Sequence, residues 1–247
     1  MKKFAIGLAS AAVLFGESVA FAQQAEDRGA ARAQPGGSDH DSMVGRLGVG
    51  YLGRETLLIA SGAPPGPAAP TEVTAPVGGV RYWLSPLLGI DAGVGLAATS
   101  GSTATDAGMG ETSTDKVGVT AFLVHVGVPL ALASASHFSF QVVPEANLGF
   151  AGATATGVGA APDTNFSGFH LDLGARVGGE IHFGFIGIPQ LSLQAGLGFG
   201  VQIDNVSATT ESDPEVSSSD NTTTLGTTLA GDPWDIFLGN LSAIFYL

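Results

Sequence analysis

The chain has 247 residues, a formal net charge of −13 and no cysteine. The absence of cysteine excludes disulfides, thiol catalysis and cysteine metal sites, and the acidic balance excludes a basic face for nucleic acid. Charged residues make up 13% of the chain, whereas a soluble domain carries about 25%. After the first 22 residues, no apolar run approaches the roughly 20 residues that a membrane-spanning helix needs. The chain is therefore apolar in total without containing apolar spans.

The first residues have the pattern of an export signal. Two lysines form a basic start, an apolar stretch follows, and small residues occupy Ala20 and Ala22. Because a signal peptidase reads small residues at these two positions, the sequence predicts a signal peptide over residues 1–22, with cleavage after Ala22. Residues 23–42 are rich in Gln, Ala, Gly, Asp and Arg and have too little apolar surface to fold. They predict a flexible lead-in.

From residue 43 onward, segments of alternating character follow one another. Phe169 and Leu171, for example, alternate with His170 and Asp172. An alternation with a period of two places the two sets on opposite faces of a β-strand. The segments that show it are 44–52, 76–84, 88–98, 117–130, 138–150, 166–183, 191–203 and 234–247. Eight such segments, each with one apolar face, predict an all-β fold of eight strands.

The connections between these segments alternate strictly between short and long. The short ones are 85–87, 131–137 and 184–189, and the long ones are 53–75, 99–116, 151–165 and 204–233. Outer-membrane barrels have this pattern, with short periplasmic turns and longer external loops. We therefore predict an eight-stranded antiparallel up-and-down transmembrane β-barrel over residues 43–247, preceded by a periplasmic lead-in. A soluble barrel or sandwich is the alternative, but the second face is mostly glycine and polar residues, which suits a lumen.

Three stretches carry a resemblance to a known family: the hairpin Gly79–Gly95, the strand 169–183 and the last strand. On these residues the chain resembles the small eight-stranded outer-membrane β-barrel superfamily, which includes the OmpA transmembrane domain and OmpX-like barrels. The resemblance implies the bacterial outer membrane as location, and outer-membrane lipid and lipopolysaccharide as surroundings. It also implies recognition by the barrel-assembly machinery through the C-terminal strand Gly239–Leu247. The sequence identifies no partner for the external loops.

The predicted inner face carries both charges and several histidines. These residues are Arg46, Arg81, Asp91, His125, Glu145, His170, Asp172, Arg176, Glu180 and His182. In a confined lumen such groups are partly dehydrated, so we expect them to pair and hydrogen-bond as a structural polar network. A narrow, gated polar pathway is the alternative interpretation of the same residues.

No catalytic, cofactor or metal site is predicted. His170 and His182 share one face, but they lie nearly 40 Å apart at about 3.3 Å per residue, so one ion cannot bind both. Either could contribute to a site with its acidic neighbour, Asp172 or Glu180. The sequence predicts a non-enzymatic outer-membrane protein with a structural, adhesion or loop-mediated binding role. A narrow, porin-like channel for small solutes is the alternative.

A lipid-modifying enzyme is a weaker alternative. The run His137-Phe138-Ser139 resembles the His-x-Ser of outer-membrane lipid A deacylases, but the rest of that motif is absent. The predicted topology also places the run at the periplasmic rim, away from external lipid A.

Overall fold

The computed structural model describes residues 37–60, 71–106, 111–157, 161–227 and 241–247. The predicted signal peptide and most of the predicted lead-in lie outside the described residues. No helix in the described part of the chain is long and apolar enough to cross a bilayer.

The regular structure is antiparallel β-sheet apart from two short 3₁₀ turns, Asp41–Met43 and Gly184–Ile186. The strands are β1 (Leu47–Leu58), β2 (Glu72–Trp83), β3 (Gly89–Asp106), β4 (Glu111–Gly127), β5 (Leu130–Ala135), β6 (Phe138–Ala155), β7 (Thr164–Phe183), β8 (Ile188–Thr210), β9 (Val216–Thr227) and β10 (Leu241–Tyr246). All of them belong to one compact unit, Ser38–Leu247.

Eight strands form a closed ring in the order β10-β1-β2-β3-β4-β6-β7-β8. The ring closes because β10 pairs with β1 on one side and with β8 on the other, through pairs such as Tyr51↔Ala243 and Leu193↔Ala243. The prediction of an all-β, antiparallel fold with eight strands around a ring is confirmed. In the predicted last segment, 234–247, residues 234–240 lie outside the described part of the chain.

Two further strands lie where the sequence predicted connections. β5 continues the line of β4 after Pro129 and pairs with the start of β6, so the predicted turn 131–137 is much shorter than expected. β9 pairs with the second half of β8 from Phe199↔Thr227 to Thr210↔Val216, inside the predicted loop 204–233. The predicted boundaries of these two connections were wrong because the strands remain hydrogen-bonded to their neighbours beyond the point where the apolar alternation stops. β-branched threonines support a strand without an apolar face.

The two ends of the ring differ in their connections. We name the end with the short connections 84–88, 136–137 and 184–187 the turn end. The opposite end is the hairpin end, where long antiparallel extensions rise beyond the predicted strands. β3 and β4, for instance, remain paired as far as Asp106↔Glu111.

A β-bulge in β1 changes which residues face the interior. The register with β2 shifts between Tyr51 and Gly53, and Gly53 has φ 139°, which favours glycine. After the bulge, Leu57 is fully buried in the ring. The next residues then lie directly against β7, where a Cβ at Gly168 would collide with the Leu58 carbonyl. The end of β1 therefore occupies the interior at the hairpin end.

Candidate functional site: the filled interior

The two faces of β6 exchange polarity halfway along the strand. Ser139, Gln141 and Asn147 are buried on its inner face near the turn end, whereas Ala151 and Ala153 are buried farther along. On the outer face, the exposed aromatic residues Phe138, Phe140 and Phe150 give way to Gly152 and Thr154. Inside and outside thus change character at the same level.

The same exchange occurs on β4, β7 and β8, which neighbour β6 or one another in the ring. The outer faces change from apolar to polar at these steps: Phe122 to Thr120 on β4, Phe169 to Ser167 on β7, and Ile203 to Asn205 on β8. The inner faces change in the opposite sense: His125 to Leu123, His170 to Phe166, and Asp204 to Val206. One level of the ring therefore separates a polar from an apolar interior.

The interior of the turn end is organised around a fully buried arginine. Arg81 binds Asp91 in a bidentate pair, with Nε–Oδ1 at 2.7 Å and Nη2–Oδ2 at 2.6 Å. It also donates to Gln194 at 2.8 Å and to Glu180 at 3.5 Å. The pairs Arg81–Asp91 and Arg81–Glu180 are completely excluded from solvent. A planar guanidinium suits this arrangement because its donors form a fixed fork.

Glu180, on β7, connects several strands. Its Oε1 accepts from the Ser192 hydroxyl at 2.5 Å and from the Tyr246 hydroxyl at 3.1 Å. Its Oε2 accepts from the Gln141 amide. Trp83 donates to the Tyr246 hydroxyl at 3.0 Å. Every polar atom of this carboxylate is therefore held by a neighbour, as a buried charge requires.

A second polar layer lies between this cluster and the level where polarity changes. Arg176 donates to Glu145 at 2.8 Å, to the Ser242 hydroxyl at 3.2 Å and to the Leu52 carbonyl at 3.3 Å. These contacts join β7, β6, β10 and β1 across the interior.

Two histidines sit at or near the level where polarity changes. His125 contacts Asn147 at 2.7 Å, and Asn147 donates to Glu55 at 3.0 Å and to Asp172 at 3.4 Å. His170 pairs with Asp204 at 2.7 Å, and both are buried.

The interior brings together nine of the ten residues that the sequence placed on the inner face. The exception is Arg46, which lies before β1 and is exposed. The prediction for Arg46 was wrong because the chain turns at Gly45, where φ is 79°, so the alternation of β1 does not extend back to residue 46.

Several interior residues were not among the predicted ones. Glu55 lies in a predicted loop, and only the bulge at Gly53 turns it inward. The sequence signal for this bulge is Gly53, a glycine at the point where the alternation of inward and outward residues shifts by one. Ser192 and Gln194 follow the inward parity of their strand, but a prediction based on charged residues and histidines does not include them.

The end of the predicted lead-in is folded. Met43 and His40 are almost completely buried in the turn end, and the Asp39 amide donates to the Ser136 carbonyl at 2.9 Å. The compact unit thus begins at Ser38, within the predicted lead-in. Burial lowers the pKa of His40 despite the opposing effects of its hydrogen bond to Pro86 and the Glu180 charge, so its imidazole is neutral at neutral pH.

Buried side chains occupy the described interior at both ends of the ring. A cavity of about 10 Å³ beside Arg176, Glu55 and His125 is roughly the space for one water molecule. At the hairpin end, the apolar residues Leu57, Ile59 and Phe166 pack where the polar layers stop. The hydrogen bonds and ion pairs of the interior can crosslink the strands and fix the positions of the buried charges.

The run His137-Phe138-Ser139 does not form a catalytic pair. His137 is exposed in the β5–β6 turn, and its Nδ1 lies 2.6 Å from Asp39. Ser139 is fully buried inside the ring, where it accepts from Gln141. His137 and Ser139 therefore lie in different environments and contact different residues.

Comparisons of this chain with protein-family models, with curated proteins and with solved structures found no match.

Proposed function

We propose that this chain is a non-enzymatic β-barrel of the bacterial outer membrane, with a structural, adhesion or loop-mediated binding role. The observation that carries the proposal is the simultaneous exchange of polarity on both faces of the ring. The closed ring, the short turns and the polar interior also support membership of the small eight-stranded superfamily, with lipopolysaccharide and lipid as surroundings.

Near the turn end, the ring has the polarity of a protein embedded in lipid. Its outer face exposes large apolar side chains, such as Val94, Phe122 and Leu173, while its charges are buried and hydrogen-bonded. In lipid, polar groups have to be satisfied internally. On β8 the outward apolar residues run from Leu191 to Ile203, a span of 13 residues that is long enough to cross a bilayer. A tilted transmembrane strand needs about 9–11 residues.

Near the hairpin end, the ring has the polarity of a protein in water. The outer face carries hydroxyl ladders, such as Ser167–Ser207 at 2.8 Å and Thr56–Thr74 at 3.0 Å. The first half of β9, which pairs with residues 204–210 of β8, is exposed and consists mainly of Ser, Asp and Asn. In the proposed orientation these hairpins project from the cell and form the surface available to a binding partner.

The packing of the interior supports a role without conduction. The Arg81 and Arg176 layers and the end of β1 occupy the space that a solute would use. Eight-stranded barrels have an interior just wide enough to be filled by side chains. We expect refolded protein to give no discrete conductance steps in planar bilayers. Regular steps would support the narrow small-solute channel instead.

Cell fractionation tests the proposed location. The full chain, produced in a Gram-negative host, should appear in the outer-membrane fraction, and the unboiled protein should migrate differently from the boiled protein on a detergent gel. A chain without residues 2–22 is the control, and it should remain in the cytoplasm. Recovery of the full chain as a soluble protein with equal boiled and unboiled mobility would contradict the proposal.

The C-terminal strand supports recognition by the barrel-assembly machinery. β10 pairs with both of its neighbours in the ring, and it presents Phe245 and Leu247 outward. Within Gly239–Leu247, the first two residues lie outside the described part of the chain. Replacing Phe245 with aspartate should reduce outer-membrane assembly of the exported chain, measured by heat-modifiability, more than the same change at exposed Leu225.

A further inference from the structure

Three buried side chains with metal-binding atoms meet in the turn end of the ring. His40 comes from the segment before β1, whereas Glu180 and His182 lie two residues apart on the inner face of β7. All three are fully buried. One ligand atom from each lies within 4.8 Å of the other two.

The two imidazoles have nitrogen atoms without hydrogen-bond partners among the described residues. His40 Nε2 lies 2.8 Å from the Pro86 carbonyl, and because a carbonyl only accepts, Nε2 carries the proton. Its Nδ1 therefore carries a lone pair, and this atom is buried without a hydrogen-bond partner among the described residues. Both ring nitrogens of His182 are also buried, and neither has a hydrogen-bond partner among the described residues. The Nε2 bond of His40 is typical of a metal-binding histidine, whose second ring nitrogen usually donates to a carboxylate, a backbone carbonyl or water.

The carboxylate of Glu180 is positioned to act as the third ligand. Its Oε1 is held by Ser192 and Tyr246, whereas Oε2 is the atom nearest His182, at 3.9 Å from Nε2. The remaining contacts of Oε2 are the Gln141 amide and a long contact of 3.5 Å to Arg81. The surrounding hydrogen bonds thus fix the carboxylate with one oxygen towards the imidazoles.

The charges around this cluster favour a cation. Arg81 is the buried positive group of this layer, and it faces two buried carboxylates, Asp91 and Glu180. One guanidinium therefore faces two carboxylates among the described residues of this layer, and all three side chains are excluded from water. A bound cation would balance the second carboxylate, since buried charges require pairing or coordination.

We propose that His40 Nδ1, His182 and Glu180 bind one divalent transition-metal ion, with Zn²⁺ as the best match. Two imidazoles and a carboxylate are ligands that Zn²⁺ prefers, and the ion can retain one of its own water molecules as the fourth ligand of a tetrahedral set. Ligand atoms at about 2 Å from a tetrahedral ion lie about 3.3 Å from one another. Binding therefore draws the three ligand atoms closer together than the 4.8 Å within which they now lie.

The ion joins the segment before the ring to the interior of the ring. His40 is the only one of the three ligands outside β7, and its segment reaches the β2–β3 turn through Pro86. In a chain without cysteine, this metal staple replaces the crosslink that a disulfide would provide. The proposal concerns folding within the ring and is independent of the membrane location.

Metal content of the untagged full chain tests the site. The protein is unfolded and refolded into detergent micelles in the presence of EDTA, exchanged into metal-free buffer, and then given ZnCl₂ or CoCl₂. We expect one Zn²⁺ per chain after extensive dialysis, measured by mass spectrometry of the metal. Co²⁺ should give the strong visible absorption of a tetrahedral site. A folded chain that retains neither ion overturns the proposal.

Matched histidine variants locate the ion. His40→Gln and His182→Gln should each weaken Zn²⁺ binding by at least about 100-fold, beyond the 10–100-fold that loss of a supporting partner causes. His137→Gln, at the same end but 44% exposed, should bind as the parent does. Equal binding by the parent and His40→Gln would show an adventitious metal and overturn the site.

Folding of each variant is checked separately by heat-modifiability. If His182→Gln fails to fold, His40→Gln alone tests the metal site, because His40 lies outside the strands of the ring. Zn²⁺ should raise the thermal midpoint of the parent and of His137→Gln, and leave that of His40→Gln unchanged. An equal rise in all three chains contradicts the proposal.

Discussion

The turn end and the hairpin end of the ring are built from the same continuous strands but have opposite polarity. Near the turn end, Glu180 and Arg81 are buried and Leu173 is exposed. Near the hairpin end, Phe166 is buried and Ser167 is exposed. A strand keeps one face inward along its length, so the sequence has to exchange the two sets of residues at a defined position. If the proposed membrane location holds, the difference means that one strand contacts lipid near the turn end and water near the hairpin end.

The largest effect should come from removing the central charge of the turn end. Arg81→Leu leaves Asp91 and Glu180 buried without their partner, and loss of one member of a buried ion pair costs about 3–5 kcal/mol. The free energy of unfolding, measured by urea titration of the refolded protein in lipid, should fall by this amount. The control is Arg46→Leu, because Arg46 is exposed, and it should change stability by less than about 0.5 kcal/mol.

The apolar interior of the hairpin end should depend on packing instead of charge. Leu57 is fully buried, and truncating a buried leucine to alanine costs about 2–5 kcal/mol. Leu57→Ala should therefore lower the urea midpoint strongly, whereas Leu225→Ala, at a position 82% exposed, should leave it nearly unchanged. Equal effects at both positions would mean that the end of β1 does not occupy the interior.

A charge on the outer face should distinguish the two ends directly. Leu173 and Ser167 share the outer face of β7, so an arginine at each tests only the surroundings. Leu173→Arg should cost about 2–4 kcal/mol, the range for a cation at the centre of a bilayer. Ser167→Arg should change the free energy of unfolding by less than about 0.5 kcal/mol. Equal costs in lipid would break the comparison.

The pair at the level of exchange should have the smallest of these effects. His170 and Asp204 are joined at 2.7 Å, and losing one partner of a buried hydrogen bond costs about 1–3 kcal/mol. His170→Phe should destabilise the chain within this range, and the double variant with Asp204→Leu should recover part of the loss because no unpaired carboxylate remains. If the double variant lost more free energy of unfolding than the two single variants lose together, the result would contradict this account.

The alternation of residues predicted the ring well because its period matches the geometry of a strand. In β7 the inward set, including His170, Arg176 and Glu180, was readable from parity alone. The pairing order of neighbouring strands followed from the short connections. These features are local in the sequence, so no knowledge of distant contacts was needed.

The hairpin end could not be predicted in the same way. Its outer positions are Ser, Thr and Asn, so the extensions of β3, β4 and β8 read as loops. The inward turn of Glu55 and Leu57 depends on a one-residue shift at Gly53, which the alternation does not reveal. His40 meets Glu180 and His182 only through the closed ring. A contact between residues so far apart in sequence depends on the fold as a whole.

Site-directed spin labelling along the outer face of β7 tests the central claim most directly. The chain contains no cysteine, so single cysteines can be placed at outward positions from Asn165 to Ile181 and labelled without background. In refolded protein in lipid vesicles, labels at 165 and 167 should collide mainly with a water-soluble nickel chelate. Labels from Phe169 onward should collide mainly with oxygen dissolved in lipid. Nickel accessibility that stays uniform along the whole strand would contradict the account.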